Sequence, residues 1–511
     1  MIKFTGQAPF WLRLLVAPIA GVLVPLSLAP YDWWALGLLS TALLGAATYR
    51  ESARRCLVLG LAFGLGMYGF GASWVYISIN QFGSTSVPLA LLLTGLFVAG
   101  LALFFSLPFY VYGRWFNKST WSLLLGFPAM WVLNEWMRTW LLTGFPWLYI
   151  GYGHLNTPLA GWAPLWGVLG MGYIAVYSSC VLLALRLRDL SIRRQFTALS
   201  VALLLWFGGA LLRDVQWTTL SEQPIAVGMA QGNIPQERKW DPLYLHETFR
   251  IFNGLSAPLW DLDWVIWPEA AIPLLYHEAL ADLESLAEQA NKTDTVFITG
   301  ILYDDRETQQ YYNSLVALGE GSGITFKTRL VPFGEYIPLE HWLRGLIEFF
   351  NLPTSIIHPG PAYVEGLRAK DVTIAPSICY EVVYPDLVAK RAGDANVLLT
   401  VSNDAWFGHS IGPLQHFQMA QMRALETGRY MVRATNNGVS GIINPKGQVV
   451  VKGGRATREA IVGQVFPATG ITPFIFWGSL PVVMLAFAIL AMLAIQQKAA
   501  SRRHSPQTSL V

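Results

Sequence analysis

Long apolar segments occupy both ends of this chain and leave a stretch of ordinary soluble composition between them. The apolar residues cluster in 10–213 and again in 471–496, whereas 220–468 has the mixed composition of a soluble domain. Charged residues make up 13% of the chain, about half the share typical of soluble domains. Because about 20 consecutive apolar residues cross a bilayer, the two blocks predict a multi-pass membrane protein that carries one large extramembrane domain.

The apolar blocks divide into a series of predicted spans. They cover residues 11–28, 33–48, 56–78, 88–113, 121–139, 163–185, 195–212 and 471–494. The predicted domains are a seven-span membrane domain (1–213), a catalytic domain (220–468), a C-terminal transmembrane helix (471–494) and a cytoplasmic tail (495–511). The fifth span contains Glu135 and Arg138, which are costly in a bilayer unless they are paired. We expect them near the outer surface, as an anchor for the central domain or a lipid headgroup contact.

Lysine and arginine residues alternate between the short loops and set the predicted orientation. Loops 29–33, 79–87 and 140–162 contain neither residue. The basic residues lie in the other loops and the tail: Arg50, Arg54, Arg55, Arg114, Lys118, Arg186, Arg188, Arg193, Arg194, Lys498, Arg502 and Arg503. Since basic loops stay in the cytoplasm, both termini are predicted inside and the 220–468 domain outside, in the periplasm.

The 220–468 domain alternates strand and helix patterns. Apolar runs typical of strands cover Ile225–Ala230, Trp264–Trp267, Val296–Ile301, Leu315–Leu318, Val372–Ile378, Val397–Val401, Val439–Ile443 and Val449–Val451. Stretches 274–291 and 413–428 have apolar residues at helical spacing. Asn444-Pro445-Lys446-Gly447 predicts a hairpin turn between two of the strands. The alternation predicts a layered α/β domain.

Three chemically active side chains each follow a predicted strand of this domain. They are Glu269, Lys327 and Cys379. A carboxylate can take a thiol proton, a thiolate can attack a carbonyl, and an ammonium can stabilise the oxyanion that develops. The set therefore favours a thiol acyl-transfer enzyme. For that role the pKa of Glu269 is expected to rise toward neutral through burial.

Each of these residues also has a plainer interpretation. A lone cysteine is most often a small buried apolar side chain, which is our interpretation of Cys56 and Cys180. From pattern alone, Glu269 fits a surface turn as well as it fits catalysis, and Lys327 fits a solvated strand end. Only the three residues together, with the motifs around them, favour a catalytic site.

The sequence gives no sign of a metal, a nucleotide cofactor or a nucleic-acid partner. His409 and His416 are isolated and are interpreted as structural. No glycine-rich phosphate loop follows a strand, so no cofactor is expected. The net charge of +3 is too small to indicate nucleic-acid binding.

Short motifs around the three residues resemble the nitrilase superfamily, whose members carry a Glu-Lys-Cys triad on an α/β/β/α sandwich. The motifs are Trp267-Pro268-Glu269, Lys327 with Leu330-Val331-Pro332-Phe333-Gly334-Glu335, and Ile378-Cys379-Tyr380-Glu381. The whole chain, spans included, resembles the apolipoprotein N-acyltransferase family of the bacterial inner membrane. Further matching stretches are 231–235 with 239–240, 402–408, 415–418, 435–438 and 143–147. The implied fold is an α-helical transmembrane bundle plus an extramembrane nitrilase-like α/β/β/α sandwich.

The resemblance also implies a reaction and its partners. Members of that family transfer an acyl chain from a membrane phospholipid to the N-terminal amine of a diacylglyceryl-cysteine on an apolipoprotein. The triad would act through a Cys379 thioester in a ping-pong scheme. The supporting residues expected from the resemblance are Glu335, Tyr380 and Glu381, and the expected substrate-binding residues are Trp240, Asn403, Trp406 and Phe407. Simple core packing is the competing interpretation of the three aromatic side chains.

Two other functions are compatible with the triad. A membrane-tethered amidase or nitrilase would use the same residues with water as the acceptor. A transporter or scaffold could carry an inactive relative of such a domain, but all three triad residues are present. A simple hydrolase needs no platform of seven spans, so the transferase is favoured over the hydrolase, and the hydrolase over the scaffold.

The loop charges make a testable prediction about topology. Reporter domains fused at Arg188 and at Gly254 are expected to report opposite sides of the membrane, because only the first position lies in a basic loop. A fusion at Arg54, in another basic loop, is the control and should agree with Arg188. A cytoplasmic signal at Gly254 would show that the number of spans is wrong.

Overall fold

Two structural units make up the protein. The computed structural model describes residues 8–83, 85–187, 189–332, 334–336, 357–361 and 366–504, with side chains described to residue 499. Phe333 of the quoted motifs and Arg188 of the basic loops lie outside the described residues. One unit comprises 1–73, 93–214 and 479–511, and the other comprises 74–92 and 215–478. The second unit therefore combines the central domain with a short segment from the N-terminal half.

The first unit is helical and apolar. Its helices are Phe10–Leu26, Trp34–Thr48, Ala53–Gly71, Val87–Val111 (which begins in the second unit), Phe127–Met137, Ala163–Leu187, Ile192–Leu212 and Leu480–His504. Four helical segments of the described chain are long and apolar enough to cross a membrane, or five if Ala53–Gly71 and Val75–Phe82 form one interrupted span. The chain is thus a multi-pass membrane protein. Two further apolar helices, Phe10–Leu26 and Trp34–Thr48, are shorter, and the expected seven spans remain a prediction.

The charged pair of the fifth predicted span is buried inside the helical unit. Glu135 is 0% exposed and accepts hydrogen bonds from the Trp131 indole (3.0 Å) and the Ile150 backbone N–H (2.9 Å). Arg138, 4% exposed, donates to the carbonyl of Trp147 (2.7 Å). The expected headgroup contact is therefore wrong. The pair instead binds the 147–150 loop, which supplies a hydrogen-bond partner to one atom of each charged side chain.

In its described residues, the second unit contains two large β-sheets and a small two-stranded one. The strands, numbered along the chain, are β1 (Thr219–Leu220), β2 (Ile225–Gln231), β3 (Trp264–Ile266), β4 (Ile272–Leu275), β5 (Val296–Asp305), β6 (Gln310–Gly319), β7 (Gly321–Ser322), β8 (Ile324–Phe326), β9 (Leu367–Ala369), β10 (Val372–Ile378), β11 (Val397–Ser402), β12 (Met431–Thr435), β13 (Gly441–Ile443), β14 (Val449–Lys452), β15 (Glu459–Val465) and β16 (Ala468–Thr469). The first sheet has the order β15-β2-β3-β5-β6-β8, with β4 on β5. The second sheet has the order β14-β13-β12-β11-β10-β9-β7.

The two sheets pack face to face with helices outside them. Their inner faces form one apolar core, to which Ile266 and Ile298 contribute from the first sheet and Ile378 and Val401 from the second. A separate core joins the outer face of the first sheet to helices Leu245–Ser256 and Leu280–Lys292. The helices that pack on the second sheet are Pro385–Ala392 and Gly412–Thr427. The expected α/β/β/α sandwich is confirmed.

The predicted elements of this domain are largely present, but one boundary differs and several elements were not predicted. The unpredicted elements include strand β12 and the helices Leu245–Ser256 and Pro385–Ala392. Stretch 274–291 begins as strand β4, and its helix starts only at Leu280, because Leu275 pairs with Leu302 of β5. Strand β15 is missing from the sequence prediction, since its residues are mostly polar or small. It is held in place by antiparallel pairing along the whole of β2.

Candidate active site

Glu269 lies in the turn that leaves strand β3. The neighbouring β5 carries Gly300, where a Cβ atom would clash with the Pro268 carbonyl oxygen and the Ala270 amide nitrogen. The absence of a side chain at Gly300 therefore lets the turn lie directly on the sheet. Ala270 has a positive φ of 44°, a conformation that costs a non-glycine residue about 1–3 kcal/mol and often occurs at functional sites.

The Glu269 carboxylate is bonded through both oxygens. Its Oε1 accepts from the Asn313 amide at 2.8 Å and lies 3.4 Å from the Lys327 ammonium. Its Oε2 accepts from the backbone N–H of Asn403 at 2.8 Å. These partners come from β6, from the residue after β8 and from the residue after β11. Strands of both sheets therefore position one carboxylate.

Lys327 is the buried cation of the site. Its side chain is 1% exposed, and its Nζ lies 2.8 Å from Glu335 Oε1 as well as 3.4 Å from Glu269 Oε1. The other Glu335 oxygen accepts from the Val331 backbone N–H at 2.8 Å. The structure thus brings Glu269, Lys327 and Glu335 into one buried cluster of two carboxylates and one ammonium.

The charges within this cluster determine its ionisation. Burial alone lowers the pKa of a lysine, but Glu335 and Glu269 outweigh burial and raise the pKa of Lys327 above its usual range. Burial alone raises the pKa of Glu269, but Lys327 and Lys239 outweigh burial and hold it below the usual range. The expectation that the pKa of Glu269 rises toward neutral is therefore wrong. At neutral pH the carboxylate is ionised and able to accept a proton.

Cys379 directly follows strand β10, at a sharp turn with a positive φ of 52°. Glu381 holds this turn: it accepts from the Ile378 backbone N–H (2.8 Å) and the Thr328 backbone N–H (2.7 Å). It also forms two hydrogen bonds with Arg391, at 2.7 and 2.8 Å. Because Thr328 follows Lys327, one carboxylate fixes the cysteine turn and the lysine turn relative to each other.

The environment of Cys379 favours the protonated thiol. Burial and the negative charge of Glu269 raise the pKa of the thiol well above its usual range, although Lys327 acts in the opposite direction. A thiol of this kind needs a base at the moment it reacts. The ionised carboxylate of Glu269 is a group of the type that can act as this base.

Sequence reasoning missed several polar residues of the site. Lys239 is buried and donates to the Glu269 backbone carbonyl at 3.0 Å, and burial lowers its pKa to about 8. Asn313 bonds both carboxylates of the cluster. His416, interpreted from sequence as structural, lies 3.2 Å from the Cys379 carbonyl oxygen. Lys239 and His416 stood within quoted motifs but were given no role in the site, and Asn313 lies within strand β6 and outside those motifs.

The other predicted site residues have mixed surroundings. Tyr380 is 8% exposed and its ring contacts Tyr384 at 5.3 Å. The Asn403 side chain is bonded to Gln236 (2.6 Å) and Asn436 (3.1 Å), so its polar atoms act within the protein. Trp240 is 39% exposed.

Trp406 and Phe407 pack against the 74–92 segment of the same unit. The Trp406 ring lies 5.4 Å from that of Phe82, and the Phe407 ring lies 4.6 Å from that of Trp74. Ser78 donates to the Trp406 carbonyl at 2.7 Å. The packing interpretation of these two aromatic side chains therefore has support, and substrate contact remains a prediction.

Known proteins match both parts of the chain. Residues 20–181 match the apolipoprotein N-acyltransferase N-terminal domain, and residues 226–470 match the carbon-nitrogen hydrolase family. The apolipoprotein N-acyltransferase of Pseudomonas syringae is 43% identical over 94% of this chain and 96% of its own. That of Pseudomonas aeruginosa is 44% identical over 97% and 98%, and that of Coxiella burnetii is 38% identical over 94% and 99%. The chain belongs to the apolipoprotein N-acyltransferase family.

Membership of this family defines the chain as an acyltransferase with a nitrilase-like domain. The carbon-nitrogen hydrolase match covers the sandwich, and the N-terminal match covers most of the helical unit. The carbon-nitrogen hydrolase match includes the strands that carry the site. The N-terminal match includes several of the membrane helices. The nitrilase-like fold and the multi-pass membrane character predicted from sequence are thus confirmed together.

The Glu381–Arg391 pair gives a prediction about stability. Glu381→Gln is expected to lower the free energy of unfolding by about 3 kcal/mol or more, because it leaves a buried guanidinium without its charge partner. Thermal unfolding in detergent would measure the change. Glu247→Gln, in the more exposed Glu247–Arg250 pair, is the control and should leave stability nearly unchanged.

The pH dependence of the same variant follows from the ionisation of Glu381. Burial raises its pKa, but Arg391 outweighs burial and the net pKa is lowered. A carboxylate with a lowered folded-state pKa stabilises the fold above its unfolded value and loses that contribution as the pH falls through the folded value. The difference between wild type and Glu381→Gln should therefore persist from pH 8 to about pH 5 and shrink at more acidic pH. A difference that grows on acidification would contradict this ionisation.

Proposed function

We propose that this protein transfers an acyl chain from a membrane phospholipid to the N-terminal amine of a diacylglyceryl-cysteine on apolipoproteins. The observation that carries the proposal is the buried contact of Lys327 with Glu269, beside Cys379 at its strained turn, in a multi-pass member of this family. Glu269 is the general base, Lys327 the oxyanion-stabilising cation and Cys379 the nucleophile. Glu335 positions Lys327, and Glu381 positions the nucleophile turn.

The first half-reaction acylates the cysteine. The Cys379 sulfur bonds to the carbonyl carbon of the phospholipid ester while Glu269 takes the thiol proton. The negative charge on the carbonyl oxygen is stabilised by Lys327, whose raised pKa keeps it protonated. The C–O ester bond then breaks, and the leaving alkoxide takes the proton from Glu269. The products are lysophospholipid and a thioester on Cys379.

The second half-reaction transfers the acyl group to the acceptor amine. The neutral α-amine attacks the thioester carbonyl, and Glu269 takes a proton from the nitrogen. The C–S bond breaks and this proton passes to the sulfur, which regenerates the thiol. Because one sulfur serves both lipid substrates in turn, the scheme is ping-pong.

The proposed location follows from the two substrates. A lipid ester donor requires a site at a membrane surface, and the chain carries the nitrilase-like domain between membrane helices. We assign it to the bacterial inner membrane with the 220–468 domain in the periplasm, in accord with the loop charges. Trp240, Trp406 and Phe407 are proposed to contact the lipid chains, and the side chain of Asn403 acts through its bonds within the site.

The covalent intermediate provides the decisive experiment. Purified enzyme given phospholipid alone is expected to release at most about one equivalent of lysophospholipid and to gain the mass of one acyl chain on Cys379. Adding a diacylglyceryl-cysteine peptide should then discharge the thioester and restart release. Cys379→Ala should show none of these events, whereas Cys180→Ala, which alters another buried cysteine, should retain them.

Each other result points to a different function. Continuous lysophospholipid release without acceptor would identify a hydrolase that uses water. Normal acyl transfer by Cys379→Ala would remove the cysteine from the mechanism. An unmodified enzyme that is active only with both substrates would indicate a ternary complex.

Glu269 and Lys327 are predicted to accelerate the acylation of Cys379. Glu269→Gln removes the proton acceptor, and Lys327→Ala removes the cation, which costs about a hundred- to a thousandfold in the rate of acyl-enzyme formation. Rapid-quench mass measurement would give the rates, with thermal unfolding to verify the fold. Lys370→Ala, at a half-exposed lysine of the same domain, is the matched control and should react normally. Near-normal acylation by Lys327→Ala would restrict Lys327 to a structural role.

A further inference from the structure

Ser402 contacts the sulfur of Cys379 from the neighbouring strand. Strands β10 and β11 are parallel, with Ile378 opposite Val401, so the residues that follow this pair lie side by side. The Ser402 Oγ is 3.3 Å from Cys379 Sγ and 2.6 Å from Asp404 Oδ1. Ser402 is 0% exposed. A buried hydroxyl thus stands between the nucleophile and a carboxylate that the triad does not include.

Asp404 determines where the single hydroxyl hydrogen of Ser402 points. Burial raises the pKa of Asp404, but Arg433, His416 and Ser402 outweigh burial and hold it well below its usual range. Arg433 donates to Asp404 Oδ2 at 2.8 Å. An ionised carboxylate only accepts hydrogen bonds, so in the resting enzyme Ser402 donates to Asp404. The Ser402 oxygen then presents a lone pair to the thiol hydrogen of Cys379.

His416 joins the same cluster to the backbone of Cys379. Burial and Arg433 lower the pKa of His416, so its ring is neutral at pH 7. Its Nε2 lies 3.2 Å from the Cys379 carbonyl oxygen. Its Nδ1 lies 3.2 Å from Asp404 Oδ1 and 3.1 Å from Arg433, so the ring contacts both members of that ion pair. Asp404, His416 and Arg433 therefore hold Ser402 and Cys379 in a fixed relation.

We propose that Ser402 is a further catalytic residue, whose hydroxyl accepts from the Cys379 thiol at rest and turns to donate to the sulfur whenever it carries negative charge. When Glu269 removes the thiol proton, the Ser402 O–H rotates from Asp404 to the thiolate. No proton leaves Ser402, so the transfer from thiol to Glu269 balances without it. Asp404, His416 and Arg433 are positioning residues.

The same rotation serves both half-reactions. Sulfur carries negative charge when it attacks the ester and again when the amine expels it from the thioester. Hydrogen bonds to charged groups are about twice as strong as neutral ones, so the donor stabilises these two moments more than the resting thiol. This inference rests on the proposed role of Cys379 as nucleophile.

The ionisation of Cys379 provides a test that needs no lipid substrate. The charged groups that act on the sulfur are Glu269, Lys327, Asp404 and Lys239. The rate at which iodoacetamide alkylates Cys379, located by peptide mass, reports the thiolate fraction as the pH is varied. Ser402→Ala removes the donor, so we expect alkylation at a fixed pH to be about ten- to a hundredfold slower. The profile should move to higher pH.

Asp404→Asn provides the opposing variant. It removes a negative charge that raises the pKa of the thiol, so alkylation should become faster and the profile should move to lower pH. Damage to packing at both positions would shift the two profiles in the same direction. Ser402→Thr, which retains a hydroxyl, should stay within about threefold of wild type. Ser314→Ala removes an equally buried serine hydroxyl that bonds to the Ile301 carbonyl, and should leave alkylation unchanged.

Three results would overturn the proposal. They are an unchanged profile in Ser402→Ala, a Ser402→Thr variant as slow as Ser402→Ala, and shifts of equal sign in Ser402→Ala and Asp404→Asn. If Ser402→Ala fails to fold, Ser402→Thr and Asp404→Asn decide by the same criteria. Alkylation involves no acyl transfer, so the alkylation profiles can be interpreted even if the proposed reaction is wrong. A failure of the proposed reaction would appear instead in the Cys379→Ala experiment.

Discussion

The buried ammonium of Lys327 is the constraint on which the site depends. A charge that is 1% exposed is tolerated only when partners compensate for its lost hydration, and Glu269 and Glu335 do so at 3.4 and 2.8 Å. The two carboxylates need partners in turn, which Asn313 and the backbone of Val331 and Asn403 supply. These groups come from both sheets, since Asn313 lies in β6 of the first sheet and Asn403 follows β11 of the second. The sandwich must therefore be assembled before the cluster is stable.

This constraint also separates the ionisation of the two reactive groups. Glu269 beside Lys327 and Lys239 stays ionised, whereas Cys379 beside Glu269 and Asp404 stays protonated. The resting site therefore holds a base and a thiol instead of a preformed thiolate. A thiol is a poor nucleophile until its proton is removed. Cys379 therefore becomes reactive only in the step in which it attacks a carbonyl substrate.

Two residues at the site have a strained backbone. Ala270 and Cys379 both have positive φ, and each is stabilised by its surroundings. Gly300 leaves room for the first turn, and the Glu381–Arg391 pair fixes the second. Strained residues persist only where the surrounding structure determines them strongly. The Glu381 pair therefore maintains the orientation of Cys379 through the backbone of the preceding residue.

The sequence by itself determined the apolar blocks, the α/β class of the central domain and the positions of Glu269, Lys327 and Cys379 at strand ends. These follow from local composition and periodicity, which a linear pattern records. Only the tertiary structure decided that Glu269 is ionised, that Glu135 and Arg138 fasten a loop, and that Lys239, Asn313, Ser402 and Asp404 join the site. Their partners are distant in the chain, and the energy of a buried charge depends on the groups around it in space. No local pattern of residues carries that information.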